Sequence, residues 1–308
     1  KDKQIWGINF FREVRRERQK YTWSPIDNKI GAISQQAGIL TGIENIKTPT
    51  RLFLIPYSSF YLNEGETEKT KGEFKGGLDV KYGINDAFTL DAILVPDFGQ
   101  TKFDNVVLNL GPFEQQFNEK RPFFTEGTDL FSKGDLLYSR RIGQTPDFSP
   151  TLSNDEYIKE YPSAINLLNA MKISGRNKDG LGVGFLNAVT EKTTATAINS
   201  NDNSTRAVTI SPLTNYNVTV FDHRFNQNSS VTFINTNVTR NGSYRDANVT
   251  GLLFDLNNKT NKYNVSGGLK SSSIHDIKNT NGINASLDLA ETSGKFRYSI
   301  GGEFISKD

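Results

Sequence analysis

Eight charged side chains crowd one stretch of this chain: Glu114, Glu119, Lys120, Arg121, Glu126, Asp129, Arg140 and Arg141. Phe113, Phe117, Phe123, Phe124 and Phe131 lie between them. Charges of both signs among large apolar rings have two main uses. Around a pore they form a constriction that selects solutes by charge. Paired with one another they hold a folded-in segment in place and do no chemistry. The second reading is favoured, because structural ion-pair networks are a common source of such clusters. A third use is glycoside hydrolysis, with Glu114 and Glu126 as acid and base. It needs two carboxyls ~5–9.5 Å apart across a sugar site. Sequence spacing sets no such distance, and 34 Asp and Glu residues make a carboxylate pair a weak signal.

Other chemistry finds less support. Asp97, Asp104 and Asn109 could offer oxygens to calcium, but their spacing is not that of an EF-hand and suits turns better. His223 and His275 are the two histidines; they stand far apart, and neither has a metal partner at ligand spacing. No nucleophile elbow, zinc-binding His-Glu-x-x-His or phosphate loop is present. With no Cys, disulfides and thiolate metal sites are excluded. No cofactor or metal is therefore expected, and the sequence identifies no catalytic residue. The 36 basic residues barely exceed the 34 acidic ones, which argues against nucleic acid as a partner.

The elements that would position these residues read as strands. Aromatics are 11% of the chain, Gly numbers 26, and Asn, Thr and Ser are plentiful in the second half. That is strand-and-turn composition rather than helix-bundle composition. Trp6–Phe11 reads as a strand without a near partner, followed by the basic run Arg12–Arg18; residues 31–47 read as a Gly-rich connector. Arg51–Leu62 has membrane-spanning length for a strand. Leu78–Tyr82 and Phe88–Val95 form a hairpin around Asn85-Asp86. Pro112 is expected to open a helical turn through Phe117. Further strands are expected at 168–175, 181–193, 215–225, 230–239, 247–256, 263–270, 283–289 and 296–304.

The last strands alternate most cleanly. Val265, Leu269, Ile283, Leu287, Phe296 and Tyr298 fall on one face; Lys270, Asn284, Asp288 and Arg297 fall on the other. A soluble sandwich would bury the apolar face under a second sheet. A membrane barrel would turn it to lipid and leave the polar face to a wet lumen. Charged or amide side chains on the polar face and a uniform hairpin rhythm favour the barrel. The mean hydropathy of −0.51 excludes a helical membrane protein but not a barrel, whose strands are apolar on alternate positions only.

Residues 96–143 break the rhythm. Burying each of their Phe rings is worth roughly 1.5–3 kcal/mol, and their charges cannot enter a dry core unpaired. The segment is therefore expected to fold inward against the sheet, like a plug. Arg121, Arg140 and Arg141 should each meet a carboxylate, with Glu114, Glu119 and Glu126 the expected partners.

Several runs also resemble one family. They are Val95-Pro96-Asp97-Phe98-Gly99-Gln100, Glu119-Lys120-Arg121-Pro122-Phe123-Phe124-Thr125-Glu126-Gly127, Tyr138-Ser139-Arg140-Arg141-Ile142-Gly143 and the hairpin from Gly77. Together they resemble exported proteins that join a module similar to carbohydrate-binding module family 9 to a C-terminal domain of unknown function, taken for an outer-membrane β-barrel. Trp6-Gly7-Ile8-Asn9-Phe10 and Trp23-Ser24-Pro25 resemble the end of that module. The resemblance implies a module tail over 1–30, a linker over 31–50 and a barrel domain over 51–308, with the irregular segment at 96–143. It also implies that barrel strands are missing after Asp308, since Ile305–Asp308 lacks the usual terminal aromatic. The expected fold is thus an all-β, antiparallel up-and-down transmembrane barrel, partial, in the cell outer membrane. Outer-membrane lipid is the expected partner and a glycan a second one, with passage, secretion or surface handling of glycan-related material as the role. The alternative is a soluble β-rich carbohydrate-binding or carbohydrate-active protein.

Overall fold

Alternation of side chains along extended backbone organises most of this chain, as a period of two requires. The computed structural model describes residues 3–27, 33–46, 51–63, 71–96, 108, 110–112, 114–146, 148–159, 161–162, 164–226 and 228–307. The chain divides into two units, Lys1–Thr50 and Arg51–Asp308.

The first unit contains β1 (Lys3–Ile8), β2 (Phe11–Val14), β3 (Gln19–Thr22) and β4 (Gly38–Glu44). β1 pairs antiparallel with β4, and β2 with β3. The strand expected to stand alone therefore has a partner about thirty residues on, inside the stretch read as a connector. The basic run lies in the β2–β3 hairpin, where its charged side chains remain in water. Trp23 packs edge-on against Phe10, with ring centroids 6.0 Å apart. Ser24 donates its backbone N–H to Asn9 Oδ1 at 2.8 Å.

The second unit is built from β5 (Leu52–Asn63), β6 (Lys71–Gly83), β7 (Phe88–Leu94), β8 (Glu156–Ile158), β9 (Leu167–Arg176), β10 (Leu181–Thr190), β11 (Thr193–Asn199), β12 (Thr205–Ser211), β13 (Thr214–Phe225), β14 (Ser229–Arg240), β15 (Asp246–Asn257), β16 (Tyr263–His275), β17 (Thr280–Glu291) and β18 (Tyr298–Ile305). Eleven of these make one sheet in the order β5-β6-β7-β9-β10-β13-β14-β15-β16-β17-β18, every pair antiparallel. The all-β, up-and-down antiparallel architecture is as expected. The sheet is open: among the described residues β5 and β18 are its edges, and no closed barrel forms.

Three further corrections concern local structure. The strand expected over 181–193 stops at Thr190; Glu191 and Lys192 interrupt it, and β11 and β12 continue as a hairpin joined by β8 in a separate sheet. Residues 114–120 are not helical; among the described residues the one α-helical turn is α1 (Pro122–Thr125), with Pro122 at its start. Proline suits a first turn at either site, but burial of Phe123 and Phe124 selects the second. Phe296 and Arg297 lie in the turn before β18 rather than on a strand.

Register places the two faces of the large sheet. Ile93, Ala170, Leu186, Val218 and Ile234 share the inner face, and all are buried with Phe123, Phe124, Leu130, Phe131 and Ile142 of the irregular segment. The segment therefore packs against the inner face, as its phenylalanines required. Gly184 makes room for it: a Cβ there would come within 3.1 Å of the Phe131 ring. Beyond the segment, inner positions of β16 and β17 are polar: Ser266, Lys270, Ser272, Asn284, Ser286 and Asp288. The outer face carries an apolar band uncovered by any described part of this unit, and beside that band on β10, β13, β14 and β15 lies a hydrogen-bonded patch of Asn187, Asn215, Asn217, Asn235 and Asn248. Leu54, Phe60, Phe74, Leu252, Leu287 and Ile300 are each more than half exposed.

Candidate functional site

The inner segment is held by three ionic knots, and each forms for a local reason. The first lies within the segment. Arg121 immediately precedes the proline-started turn α1, so its side chain is directed back along the chain. Its Nε donates to Glu119 Oε1 at 2.8 Å and its Nη2 to Glu119 Oε2 at 2.7 Å, a two-pronged match of guanidinium to carboxylate. Nη1 donates to the Ile142 carbonyl at 2.6 Å and Nη2 also to the Ser139 carbonyl at 2.7 Å. The guanidinium lies 4.3 Å from the Phe124 ring centroid. One arginine thus ties the start of the segment to its end, and both partners are nearly buried.

The second knot joins segment to wall. Lys172 on β9 is 1% exposed. Its Nζ donates to the carbonyls of Phe123 at 2.7 Å and Glu126 at 2.5 Å, and Asp91 on β7 lies 3.6 Å away. Those carbonyls belong to the end of α1, where backbone acceptors lack helical partners. Lys81 on β6 adds an ion pair to Glu126. The third knot centres on Asp222 of β13, which is fully buried. It accepts the Thr232 hydroxyl at 2.5 Å, pairs with Arg176, and lies 3.7 Å from Lys133 of the segment.

Of the eight residues singled out by sequence, Glu119 and Arg121 form the first knot and Glu126 joins the second. Arg141 pairs with Glu114 at an exposed site. The expected carboxylate partners of Arg121 and Arg141 are thus in place. Arg140 is half-buried in the 3-10 turn Ser139–Arg141. Lys120 is exposed, its backbone N–H donated to Glu119 Oε1 at 3.0 Å. Asp129 is exposed and offers its backbone carbonyl to the Ser132 hydroxyl at 3.3 Å. Glu114 and Glu126 are each engaged by a cation, which suits salt-bridging more than acid–base work. Asp97, Asp104, Asn109, Phe98, Phe103 and Phe113 lie outside the described residues. Among the described residues no three of His, Cys, Asp and Glu gather as a metal site.

Sequence reading missed Lys172, Asp222, Asp91 and Lys81. The signal was present: a charged residue at an inward position of an otherwise apolar strand, as in Leu167–Arg176, needs a buried partner.

Burial pushes the Glu119 carboxyl up, but hydrogen bonds from the Arg121 side chain and backbone, the Arg121 charge and the Ser139 hydroxyl outweigh it, holding the group at about 2 against an ordinary 4.5. A depressed carboxyl stabilises the fold above its unfolded pKa, and that contribution is lost as pH falls towards the folded value. For Glu119 the window runs from 4.5 down to about 2. The contribution at neutral pH is about 3 kcal/mol at most. Protease cutting within 117–144 is therefore expected to rise steeply below pH 4.5, and in Glu119→Gln that Glu119-linked rise should be absent. Identical pH profiles for the two proteins would contradict this assignment.

A family model for a domain of unknown function, DUF5916, matches residues 48–308, most of the chain. The chain belongs to the DUF5916 family. No curated protein matches it. Among solved structures, this DUF5916 chain is similar to in-vitro folded OmpT, an outer membrane protein of Vibrio cholerae. They are 11% identical over 82% of this chain and 85% of OmpT, with a TM-score of 0.32. The loop L8 deletion mutant of OmpT is 12% identical over 82% of this chain and 93% of its own, with a TM-score of 0.31. The match to DUF5916 begins just before β5, so the family domain coincides with the second structural unit and contains all three knots.

Proposed function

We propose that the DUF5916 domain is an outer-membrane β-barrel whose inner segment blocks part of the lumen and leaves a polar path beside it for small solutes. The observation that carries this reading is the outer face. An apolar band runs across it from Leu54 on β5 through Phe221, Phe233, Leu252 and Leu287 to Ile300 on β18, beside the asparagine patch, with nothing described in this unit laid over it. A soluble sandwich would cover that surface with a second sheet. Its exposure also disfavours the soluble carbohydrate-binding alternative.

Strand length and connections give independent support. β13, β14, β15 and β17 each have 12 residues. At roughly 3.3 Å per residue and ~45° of tilt, such a strand rises about 28 Å, close to a bilayer's hydrocarbon core. At one end of the sheet every connection is short: 84–87, 177–180, 226–228, 258–262 and 292–297. The two long ones, 95–166 and 191–213, are both at the other end. Transmembrane barrels combine short periplasmic turns with longer extracellular loops in this manner. The inner segment thus enters from the side assigned here as extracellular.

The path for solutes follows β16 to β18, where a cavity of about 330 Å³ is bordered by Lys270, Ser272, Asn284 and Ser306 together with Leu136 of the segment, Val249, Ile283 and Ile305. In a closed barrel β5 and β18 must find partners, since unpaired strand edges do not persist in lipid. A role in passage or surface handling of glycan-related material rests on the resemblance of Trp6–Phe10 and Trp23–Pro25 to the end of a carbohydrate-binding module.

The test is cell fractionation with gel mobility. The protein should fractionate with the outer membrane and migrate differently before and after boiling in detergent. A soluble protein with unchanged mobility would overturn the reading. Orientation is tested by a protease site inserted in the 200–204 turn between β11 and β12, expected to be cut on intact cells. The same site in 258–262 should be cut only after permeabilisation; the reverse pattern would invert the assignment.

A further inference from the structure

A second cavity, of about 170 Å³, lies under the end of the inner segment nearest the long connections. The ends of β13 and β14 form one wall and residues 136–144 the other. Its lower surface is apolar, with Ile142, Val218 and Val238, and Tyr138 and Tyr216 also border it. Thr214, Ser211 and Gln144 supply hydroxyl and amide groups. Arg141 and Arg240 border the same space.

The two guanidiniums differ in what holds them. Arg141 pairs with Glu114, both side chains being 54% exposed. An exposed pair of this kind is worth only about 0–1 kcal/mol, so a competing carboxylate can displace it. Arg240 has a half-buried side chain whose guanidinium donates to the Arg245 carbonyl. No carboxylate among the described residues pairs with that guanidinium; Asp246 accepts the Arg240 backbone N–H instead, at 2.7 Å. The cavity lining holds two guanidiniums and no carboxylate, and Glu114, outside the lining, offsets one of them. That balance suits a monoanion rather than a dianion. Guanidinium forks match a carboxylate in two-pronged geometry. Tyr138 and Tyr216 lend the rim aromatic surface, and the Thr214 and Ser211 hydroxyls, which donate to the Pro212 carbonyl at 3.0 and 3.4 Å, keep lone pairs to accept from a ligand hydroxyl.

The geometry points to this cavity as a binding site for a small hydroxylated carboxylate of sugar-acid size, held through Arg240 and Arg141 on the long-connection side of the sheet. This goes beyond the barrel reading and does not depend on it: the cavity lies within the second unit whether lipid or water meets the outer face.

The test is calorimetric titration of the purified chain, folded in detergent micelles, at fixed ionic strength. The probes are D-galacturonate, its neutral parent D-galactose, and inorganic phosphate. Galacturonate should bind at least tenfold more tightly than either of the others, a difference of about 1.4 kcal/mol. Arg240→Gln should weaken galacturonate tenfold or more. Glu114→Gln, an exposed and conservative change, should tighten it several-fold by releasing Arg141. The opposite signs separate a binding role from a structural one, since damage to the fold would weaken both variants. Equal binding of galactose, equal binding of phosphate, no binding of galacturonate at millimolar concentration, or no tightening in Glu114→Gln would each overturn the proposal.

Discussion

Arg121→Ala is expected to release the inner segment from the sheet while the strands stay paired. The side chain makes four hydrogen bonds between 2.6 and 2.8 Å, to Glu119, Ile142 and Ser139. Without it, Glu119 loses its cation at a site only 12% exposed, and two carbonyls lose a donor. Removing one partner of a buried ion pair typically costs about 3–5 kcal/mol. The loss falls on the segment, because Arg121 takes no part in the ladders of the eleven-stranded sheet. In planar bilayers the conductance of the variant should rise several-fold and grow noisier. Its far-ultraviolet circular dichroism should match that of the unaltered protein. Arg121→Lys keeps the charge but loses the fork, and should fall between the two. Unchanged conductance in Arg121→Ala, or a parallel loss of strand signal, would show that the segment does not act as a plug.

A second large effect is expected on the outer face. Leu252 is 54% exposed near the middle of β15, whereas Leu256 lies on the same face close to the strand end. In water an arginine at either position would cost little, since both already meet solvent. In a bilayer the cost depends on depth, about 2–4 kcal/mol at the midplane and falling to ~0–1 kcal/mol near the interface. Leu252→Arg should therefore lower stability in lipid vesicles, followed by denaturant unfolding, far more than Leu256→Arg. Equal and negligible effects would place this face in water.

Strands were legible wherever one face had a single environment. Tyr263–Lys270 and Ile283–Leu289 alternate cleanly because their inner side is polar and their outer side apolar, and both lie inside observed strands. β13 was harder to read. Val218 and Val220 point inward under the segment beside Thr214 and Asp222, while Phe221 points outward beside Asn215, Asn217 and Thr219, so neither face has one character. Its surroundings were fixed by a segment about ninety residues earlier, which no local window can register. The same distance hid the knots. Arg121 and Glu119 are near neighbours and could be matched by sequence, but Lys172 meets carbonyls 46 and 49 residues away. β1 shows the limit in its simplest form, because its partner β4 lies beyond two other strands in sequence.

The central claim is that one face of the sheet meets lipid and the other a wet interior. The chain has no cysteine, so a single introduced cysteine can carry a unique nitroxide label. Labels at Leu252, Leu269 and Leu287 on the outer face, and at Ser272 and Ser286 on the inner face, can be compared in lipid vesicles by relaxation with oxygen and with a water-soluble nickel chelate. The account predicts that oxygen dominates at the three leucine positions and nickel at the two serine positions. Nickel dominating at Leu252, Leu269 and Leu287 would contradict it.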